Sequence, residues 1–292
     1  MQNRVVVLLV FAVIAISFAA IFVKLSEAPA AVISMYRMLF STVLIMPFAF
    51  KYRKELSALN LKDWTALIFA GLFLAMHFAF WFTSLEMTTV ASSTLILALQ
   101  PIVAMFAAFL FYKEKMNLQT LTATVISFFG ILIVSWGDFN TENLTMLIGN
   151  ILSFLCVLAI VIYLMIGQRA MKKLTHWIYS FIVFGFSAVF LVIYNLITED
   201  NLIHYSSNEW ILFILLAIFP SFAHVVFNYL LTLVTPTTIS ISVLLEPVGA
   251  SILAVLILGE HLTVIQMIGG SIVLVGVYLY LFEGRRKTRK IK

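Results

Sequence analysis

The chain has 292 residues, of which 63% are hydrophobic and 11% charged, and its mean hydropathy is +1.11. A soluble domain carries about 25% charged residues. This composition therefore excludes a water-soluble globular protein and predicts an all-α polytopic membrane protein in contact with the lipid bilayer. The net charge of +5 does not indicate nucleic-acid binding, because the basic residues lie in short connectors and not on one amphipathic face.

Ten apolar segments are long enough to cross a bilayer, which takes about 20 residues. In chain order the predicted transmembrane helices are 5–23, 32–50, 64–83, 90–111, 119–136, 146–166, 176–197, 210–231, 237–258 and 264–282. Their connectors are short, so no separate soluble domain is expected. Residues 1–20 could alternatively form a signal peptide with Arg4 at its start, but the apolar run continues to Val23, which favours a retained span.

The distribution of positive charge predicts the orientation. If the N-terminus is cytoplasmic, 16 of the 18 Lys and Arg residues fall on the cytoplasmic side, six of them in the tail after residue 284. Only Lys24 falls outside, and Arg37 lies within the second span. Because cytoplasmic connectors carry the excess of Lys and Arg in membrane proteins, both termini are expected to be cytoplasmic.

An internal repeat appears when the sequence is shifted by 146 residues against itself. The shift aligns Trp64 with Trp210, Leu99-Gln100-Pro101 with Leu245-Glu246-Pro247, Glu114 with Glu260, and Gly130 with Gly276. It divides the chain into repeats 1–146 and 147–292. Five spans in each repeat is an odd number, so the second repeat is expected to be inverted, as in many secondary transporters. The alternative is a duplicated bundle without a pathway.

These repeat-closing segments, together with the arginine in Met35-Tyr36-Arg37-Met38-Leu39, resemble the drug/metabolite transporter superfamily and, within it, the EamA-type transporter family. The resemblance covers about residues 6–135 and 147–282. It implies export of an amino acid, a related metabolite or a drug-like compound across a bacterial plasma membrane, by a monomer or weak homodimer. The first repeat departs from the Gly-Glu pair that is usual in this family. Lys113 stands before Glu114 there, whereas Gly259 stands before Glu260 in the second repeat.

Glu246 is expected near the middle of the ninth span. An acidic residue at that depth costs about 2.5–3.5 kcal/mol on insertion scales and usually faces a cavity or a partner. Glu246 could bind a cationic group or exchange a proton, with its neutral repeat mate Gln100 in the same substrate cavity. Alternatively, it could form a static ion pair with Arg37, whose charge we expect to be structural.

Pro101 and Pro247 are expected near the middle of the fourth and ninth spans. Proline removes a backbone donor and clashes with the carbonyl four residues earlier, so each span should bend there. The bend could be a packing kink, a hinge that lines a cavity, or both.

Four polar or aromatic residues form pairs at i, i+4 spacing, each pair on one helix face. They are His77 with Trp81 in the third span, and His224 with Asn228 in the eighth. They are expected to line the cavity, together with Tyr163 of the sixth span. The alternative is that they only form hydrogen bonds between helices.

Glu114 and Glu260 are expected to be structural charges that accept hydrogen bonds from the first amides of the following helices. The one cysteine, Cys156, is expected to be a buried thiol. No metal-ligand spacing and no phosphate-binding glycine loop is present, so neither a metal nor another cofactor is expected.

Together these patterns predict a non-enzymatic secondary transporter that works by alternating access on a small-molecule substrate, driven by the substrate's own gradient or by protons. Two other classes remain open. An integral membrane enzyme would need a cluster of acids, bases or metal ligands at one interface, and a channel would show a filter motif and no inverted repeat.

Overall fold

The computed structural model describes residues 2–88, 93, 96–97, 99–113, 118–135, 144–259, 264–265, 267–272, 274–276 and 278–279. Every regular element among them is helical. The helices are α1 Gln2–Leu25, α2 Ala30–Phe50, α3 Leu61–Met87, α4 Gln100–Tyr112, α5 Leu118–Ser135, α6 Leu144–Ala170, α7 His176–Ile197, α8 Ser207–Leu230, α9 Pro236–Val243, α10 Glu246–Leu253 and α11 Met267–Gly276. A 3₁₀ turn, Arg53–Ala58, precedes α3, and a π turn, Ala254–Leu258, follows α10.

Seven helical segments in the described part of the chain are long and apolar enough to cross a membrane. They are α1, α2, α3, α6, α7, α8 and the segment Pro236–Leu258, which contains α9 and α10. The prediction of a polytopic α-helical membrane protein is thereby confirmed. The helices α4, α5 and α11 are shorter, and the predicted fourth, fifth and tenth spans extend onto residues outside the described ranges.

Several helices begin at capping residues that satisfy their free amides. At the start of α3, Asn60 and Asp63 form a capping box, in which the Asn60 side chain accepts from the amide of Asp63 at 3.0 Å and the Asp63 carboxylate accepts from the amide of Asn60 at 3.1 Å. At the start of α8, Ser206 accepts from the amide of Glu209 at 3.4 Å. These local signals explain why α3 begins three residues before the predicted span.

Several contacts between helices have a counterpart between the corresponding helices of the other half of the chain. Helix α3 packs against α6 and α7, and helix α8 packs against α1 and α2. In the same way α4 packs against α6, α10 packs against α1, and α2 packs against α7 at the centre. Large apolar side chains such as Phe11 and Phe50 remain more than 60% exposed, which places them where a bilayer would surround the bundle.

The ninth predicted span differs from the expected bent helix. Helix α9 ends at Val243, a turn follows at Leu244 and Leu245, and α10 begins at Glu246 with Pro247 as its second residue. Pro101 is likewise the second residue of α4. A proline lacks the amide that a helix interior needs but is tolerated in the first turn. A helix break therefore takes the place of a kink in the ninth segment.

The turns that end α4 and the ninth segment have the same backbone geometry. Lys113 has a φ of 53° and Gly259 a φ of 70°, so both adopt the left-handed conformation. The amide of Lys113 donates to the carbonyl of Ala108, and the amide of Gly259 donates to that of Ala254. The lysine that departs from the family pattern therefore keeps the geometry of the glycine turn.

Candidate functional site

A narrow cavity lies inside the bundle and is enclosed by α1, α3, α4, α6, α8, α9 and α10. Its polar lining consists of five residues predicted from the sequence: His77, Trp81, Gln100, His224 and Glu246. Aliphatic side chains and Phe227 form the rest of the wall. The volume is about 30 Å³, which is room for about two water molecules. The cavity is therefore too small, in this structure, to hold a metabolite.

The two repeat mates Gln100 and Glu246 meet at one end of the cavity. Both are buried, with 4% and 5% of their surface exposed. Gln100 donates from Nε2 to Oγ of Ser240 at 3.0 Å. The carboxylate of Glu246 has no hydrogen-bond partner among the described residues, and it begins helix α10, where the free amides favour negative charge. The site thus contains a carboxylate that faces the cavity without a partner.

Unpaired nitrogen atoms lie on the α3 and α8 side of the cavity. Within the described ranges, Nε1 of Trp81 and Nε2 of His224 are buried and have no hydrogen-bond partner. The rings of His77 and His224 are 6.4 Å apart between their centroids. Nδ1 of His77 is 3.0 Å from Sγ of Cys156 and 3.3 Å from its carbonyl oxygen. Unpaired polar atoms in a buried site are costly, so a ligand or water would satisfy them.

Tyr163 and Asn228 are not part of the cavity wall. The Tyr163 hydroxyl donates to Oδ1 of Asn228 at 2.6 Å, and Nδ2 of Asn228 donates to Oγ of Ser180 at 2.9 Å. These bonds join α6, α8 and α7 in the interior. The geometry favours the alternative reading of these two residues, in which they hold helices together.

Arg37 is fully buried and forms no ion pair with any of the described residues. Its guanidinium lies 4.0 Å from the ring centroid of Phe78 and 5.9 Å from that of Phe82, and none of its three nitrogens has a hydrogen-bond partner in the described structure. Glu246 is close enough to interact electrostatically but forms no ion pair with it. The static Arg37–Glu246 pair considered from the sequence is therefore not present, because aromatic rings occupy the space around the guanidinium.

The remaining predictions concern two connector carboxylates, two prolines and the expected absence of a metal site. Glu114 and Glu260 lie outside the described residues, so their capping role stays a prediction. Pro101 and Pro247 begin helices beside the cavity residues Gln100 and Glu246. The described ranges contain no group of three or more His, Cys, Asp or Glu residues that could hold a metal ion.

Sequence reasoning missed Ser240, which positions the amide of Gln100. It lies on α9 and is fully buried. The only signal was the unusual density of hydroxyl residues in the ninth span, where Thr237, Thr238, Ser240 and Ser242 follow one another. That density could have predicted a polar helix face but not the partner on α4.

Apolar helices around a buried polar cavity define a polytopic membrane protein with an internal site. The sequence model of the EamA-like transporter family matches residues 3–136 and 147–282. The chain belongs to this family, which confirms the resemblance drawn from the sequence.

Curated relatives and a solved structure are similar over most of the chain. A protein of Archaeoglobus fulgidus named as an uncharacterized transporter is 26% identical over 268 residues, which cover 90% of this chain and 91% of that protein. The uncharacterized transporter YxxF of Bacillus subtilis is 24% identical over 230 residues, covering 78% of this chain and 73% of that protein. A crystal structure with 14% identity has a TM-score of 0.81 and covers 98% of this chain and 99% of its own. That likeness concerns the fold alone.

Proposed function

We propose that the protein is a secondary active transporter that moves an amino acid or a related small metabolite across the bacterial plasma membrane by alternating access. The observation that carries the proposal is a buried cavity in which three polar groups have no hydrogen-bond partner among the described residues. Glu246 supplies a carboxylate there, and Trp81 and His224 supply unpaired nitrogens. Family membership and the names of the relatives point to the same class.

The two kinds of unpaired group favour a substrate with charges of both signs. The Glu246 carboxylate suits an ammonium group, because charge-assisted hydrogen bonds are the strong ones. The N–H of Trp81 is a donor only and suits a carboxylate or another acceptor. The aliphatic wall suits an apolar side chain, as in most small-molecule sites. An amino acid combines these three features.

The helix packing supports two inverted five-helix repeats. A shift of 146 residues relates α1 to α6, α2 to α7, and α3 to α8. Under this exchange the contact of α3 with α6 becomes that of α8 with α1, and the contact of α4 with α6 becomes that of α10 with α1. An inverted repeat of this kind places a substrate between its halves and lets the same scaffold open to either side.

In this proposal ten spans cross the membrane, both termini are cytoplasmic, and transport runs outward. The driving force is the gradient of the substrate itself or of protons. The protein acts as a monomer or weak homodimer. The broken ninth segment, with Pro247 at the start of its second half, is the hinge beside the binding residues.

Ligand binding to the purified protein tests the proposal. Thermal-shift screening against a panel of amino acids and related metabolites is expected to identify a stabilising ligand. Because Glu246 binds the ammonium group, Glu246→Gln should weaken the response by on the order of tenfold or more in affinity. The control Glu199→Gln removes an exposed connector carboxylate and should leave the affinity unchanged. Equal affinities for Glu246→Gln and the unaltered protein would contradict the proposed site.

A further inference from the structure

Two carboxylates occupy corresponding positions in the two halves of the chain. Asp63 lies in the first turn of α3 and Glu209 in the first turn of α8, and 146 residues separate them. Their caps, Asn60 and Ser206, are separated by the same 146 residues. The two helix starts are thus built alike, and each carboxylate has a second partner outside its own helix.

The first contact, here called the α6–α7 latch, consists of Asp63 and Lys173. Nζ of Lys173 donates to both carboxylate oxygens of Asp63, at 2.7 and 2.8 Å. Beside it, the amide of Thr175 donates to Oε2 of Glu55 at 2.7 Å. The connector between α6 and α7, which belongs to the second half of the chain, is thus fastened to residues of the first half.

The second contact, here called the α1–α2 latch, consists of Glu209, Ser26 and Glu27. The Ser26 hydroxyl donates to Oε2 of Glu209, and the amide of Glu27 donates to Oε1 of Glu209 at 2.9 Å. Beside it, the amide of Ala30 donates to Oε1 of Glu86 at 2.8 Å. Here the connector of the first half is fastened to α8 of the second half.

The two latches correspond to each other but lie at opposite ends of the bundle. Lys173 is 146 residues from Glu27, just as Glu209 is 146 residues from Asp63. Asp63 is in the first turn of α3, whereas Glu86, which accepts from the amide at the start of α2, is in its last turn. At 1.5 Å per residue these two positions are about 35 Å apart along the helix, which is about the thickness of a bilayer's apolar core.

We propose that Asp63 with Lys173 and Glu209 with Ser26 and Glu27 are the matched gating contacts of the transporter, one for each face. The inference rests on the proposed alternating access. Each latch joins one half of the chain to the other, so the halves cannot separate at a face until its latch breaks. Both latches are formed in this structure, and the cavity between them holds about 30 Å³. In this proposal the structure, with both latches formed, represents the state from which either face can open.

The latches differ in chemistry, so they should respond differently to salt. Lys173 is 53% exposed and Asp63 21%, and an exposed ion pair is weak and screened by salt. Glu209 is 7% exposed and accepts from a hydroxyl and an amide that carry no charge. Added salt should therefore open the α6–α7 face and leave the α1–α2 face closed.

Distances across each face provide the test. The full chain is reconstituted in lipid nanodiscs with Cys156 replaced by alanine, so that cysteines can be introduced for spin labels. One pair of labels at Lys62 and Lys172 spans the α6–α7 face. A second pair at Leu25 and Asn208 spans the α1–α2 face. Electron paramagnetic resonance then gives the closed and open populations of each face without a substrate.

Each latch is broken by one substitution that has a matched control. Lys173→Met should raise the open population of the α6–α7 face about two- to fivefold, while Lys54→Met, which removes an exposed lysine on the same face, should not. Glu209→Gln should raise the open population of the α1–α2 face on the order of tenfold. Its control Glu27→Gln keeps the amide that donates to Glu209. The conservative change Lys173→Arg should keep the α6–α7 face closed.

Face-selective opening is the expected result. The inference is overturned if a latch variant opens both faces equally, because the contact would then only stabilise the bundle, or if it opens neither. Because no substrate is needed, such a result leaves the ligand-binding test at Glu246 standing. Conversely, selective opening of the faces together with equal ligand affinities for Glu246→Gln and the unaltered protein would support the latches and contradict the proposed binding site.

Discussion

Replacing Lys113 with glycine is expected to stabilise the protein. Lys113 ends α4 with a φ of 53°, in a turn whose counterpart ends at Gly259 with a φ of 70°. The left-handed conformation costs an L-residue about 1–2 kcal/mol, whereas glycine loses about 0.5–1 kcal/mol more conformational entropy on folding. The difference predicts that Lys113→Gly raises the free energy of unfolding by about 0.5–1 kcal/mol.

Replacing the glycine of the second turn, Gly259, should lower the free energy of unfolding. A Cβ atom at Gly259 would meet no heavy atom within 4 Å, so Gly259→Ala changes only the backbone energy. It should destabilise the protein by about 0.5–1 kcal/mol. Gly270→Ala is the control, because this glycine is helical and its Cβ would meet only Cγ2 of Val248 at 3.9 Å. Alanine there should stabilise by about 0.5–1 kcal/mol.

Thermal unfolding in mild detergent measures these differences as shifts of about 1–3 °C in Tm. The expected order is a higher Tm for Lys113→Gly and Gly270→Ala and a lower Tm for Gly259→Ala. A lower Tm for Lys113→Gly would contradict this prediction, because it would mean that the lysine side chain contributes more than the strain of its backbone costs. An unchanged Tm for Gly259→Ala would show that the turn does not require the left-handed conformation.

Three further substitutions test residues in and near the site. Arg37→Met removes a buried guanidinium that has no ionic partner in the described part of the chain, and it should raise stability by about 1–3 kcal/mol in thermal unfolding; a loss of that size would show that Arg37 holds the fold together. Tyr163→Phe should lower stability by about 1–2 kcal/mol because Asn228 loses its donor, while ligand affinity in the same thermal-shift titration stays unchanged; a fall in affinity would place Tyr163 in the site. Trp81→Phe keeps a ring but loses the N–H, so ligand affinity should fall about five- to tenfold with Tm nearly unchanged, and an unaltered affinity would exclude this N–H as a substrate contact.

The sequence predicted most of the helical framework because the bilayer imposes long apolar runs on every span. The eighth span was predicted at 210–231, and α8 is Ser207–Leu230. The third began at 64 by hydropathy, whereas the capping box of Asn60 and Asp63 starts α3 earlier. The break at Leu244 and Leu245 was not predicted, because both residues are as apolar as the helix around them and only the proline after them signals it.

The residues of the cavity could be predicted in part for a related reason. His77, Gln100, His224 and Glu246 are polar residues in apolar segments, and such residues must face the interior. Their hydrogen bonds could not be predicted. Whether a buried polar residue lines a cavity or bonds to another helix depends on side-chain packing, which is why Tyr163 fits the site pattern in sequence yet lies outside the cavity wall.

The two latches could not be predicted from the sequence, because their residues lie far apart along the chain. Lys173 lies 110 residues from Asp63, and Ser26 lies 183 from Glu209. A sequence does not show which charged and polar residues of the connectors contact each other. Its Lys and Arg residues indicate only the orientation of the chain in the membrane. Only the folded chain shows that the shift of 146 residues relates the two contacts.

Counterflow in proteoliposomes distinguishes alternating access from other modes of permeation. Vesicles that contain the protein are loaded with an excess of the ligand found by thermal-shift screening, and a trace of labelled ligand is added outside. Alternating access predicts a saturable, transient uptake that exceeds equilibrium and that Glu246→Gln reduces on the order of tenfold or more. Uptake that never exceeds equilibrium and rises linearly with concentration would contradict a carrier and indicate a channel.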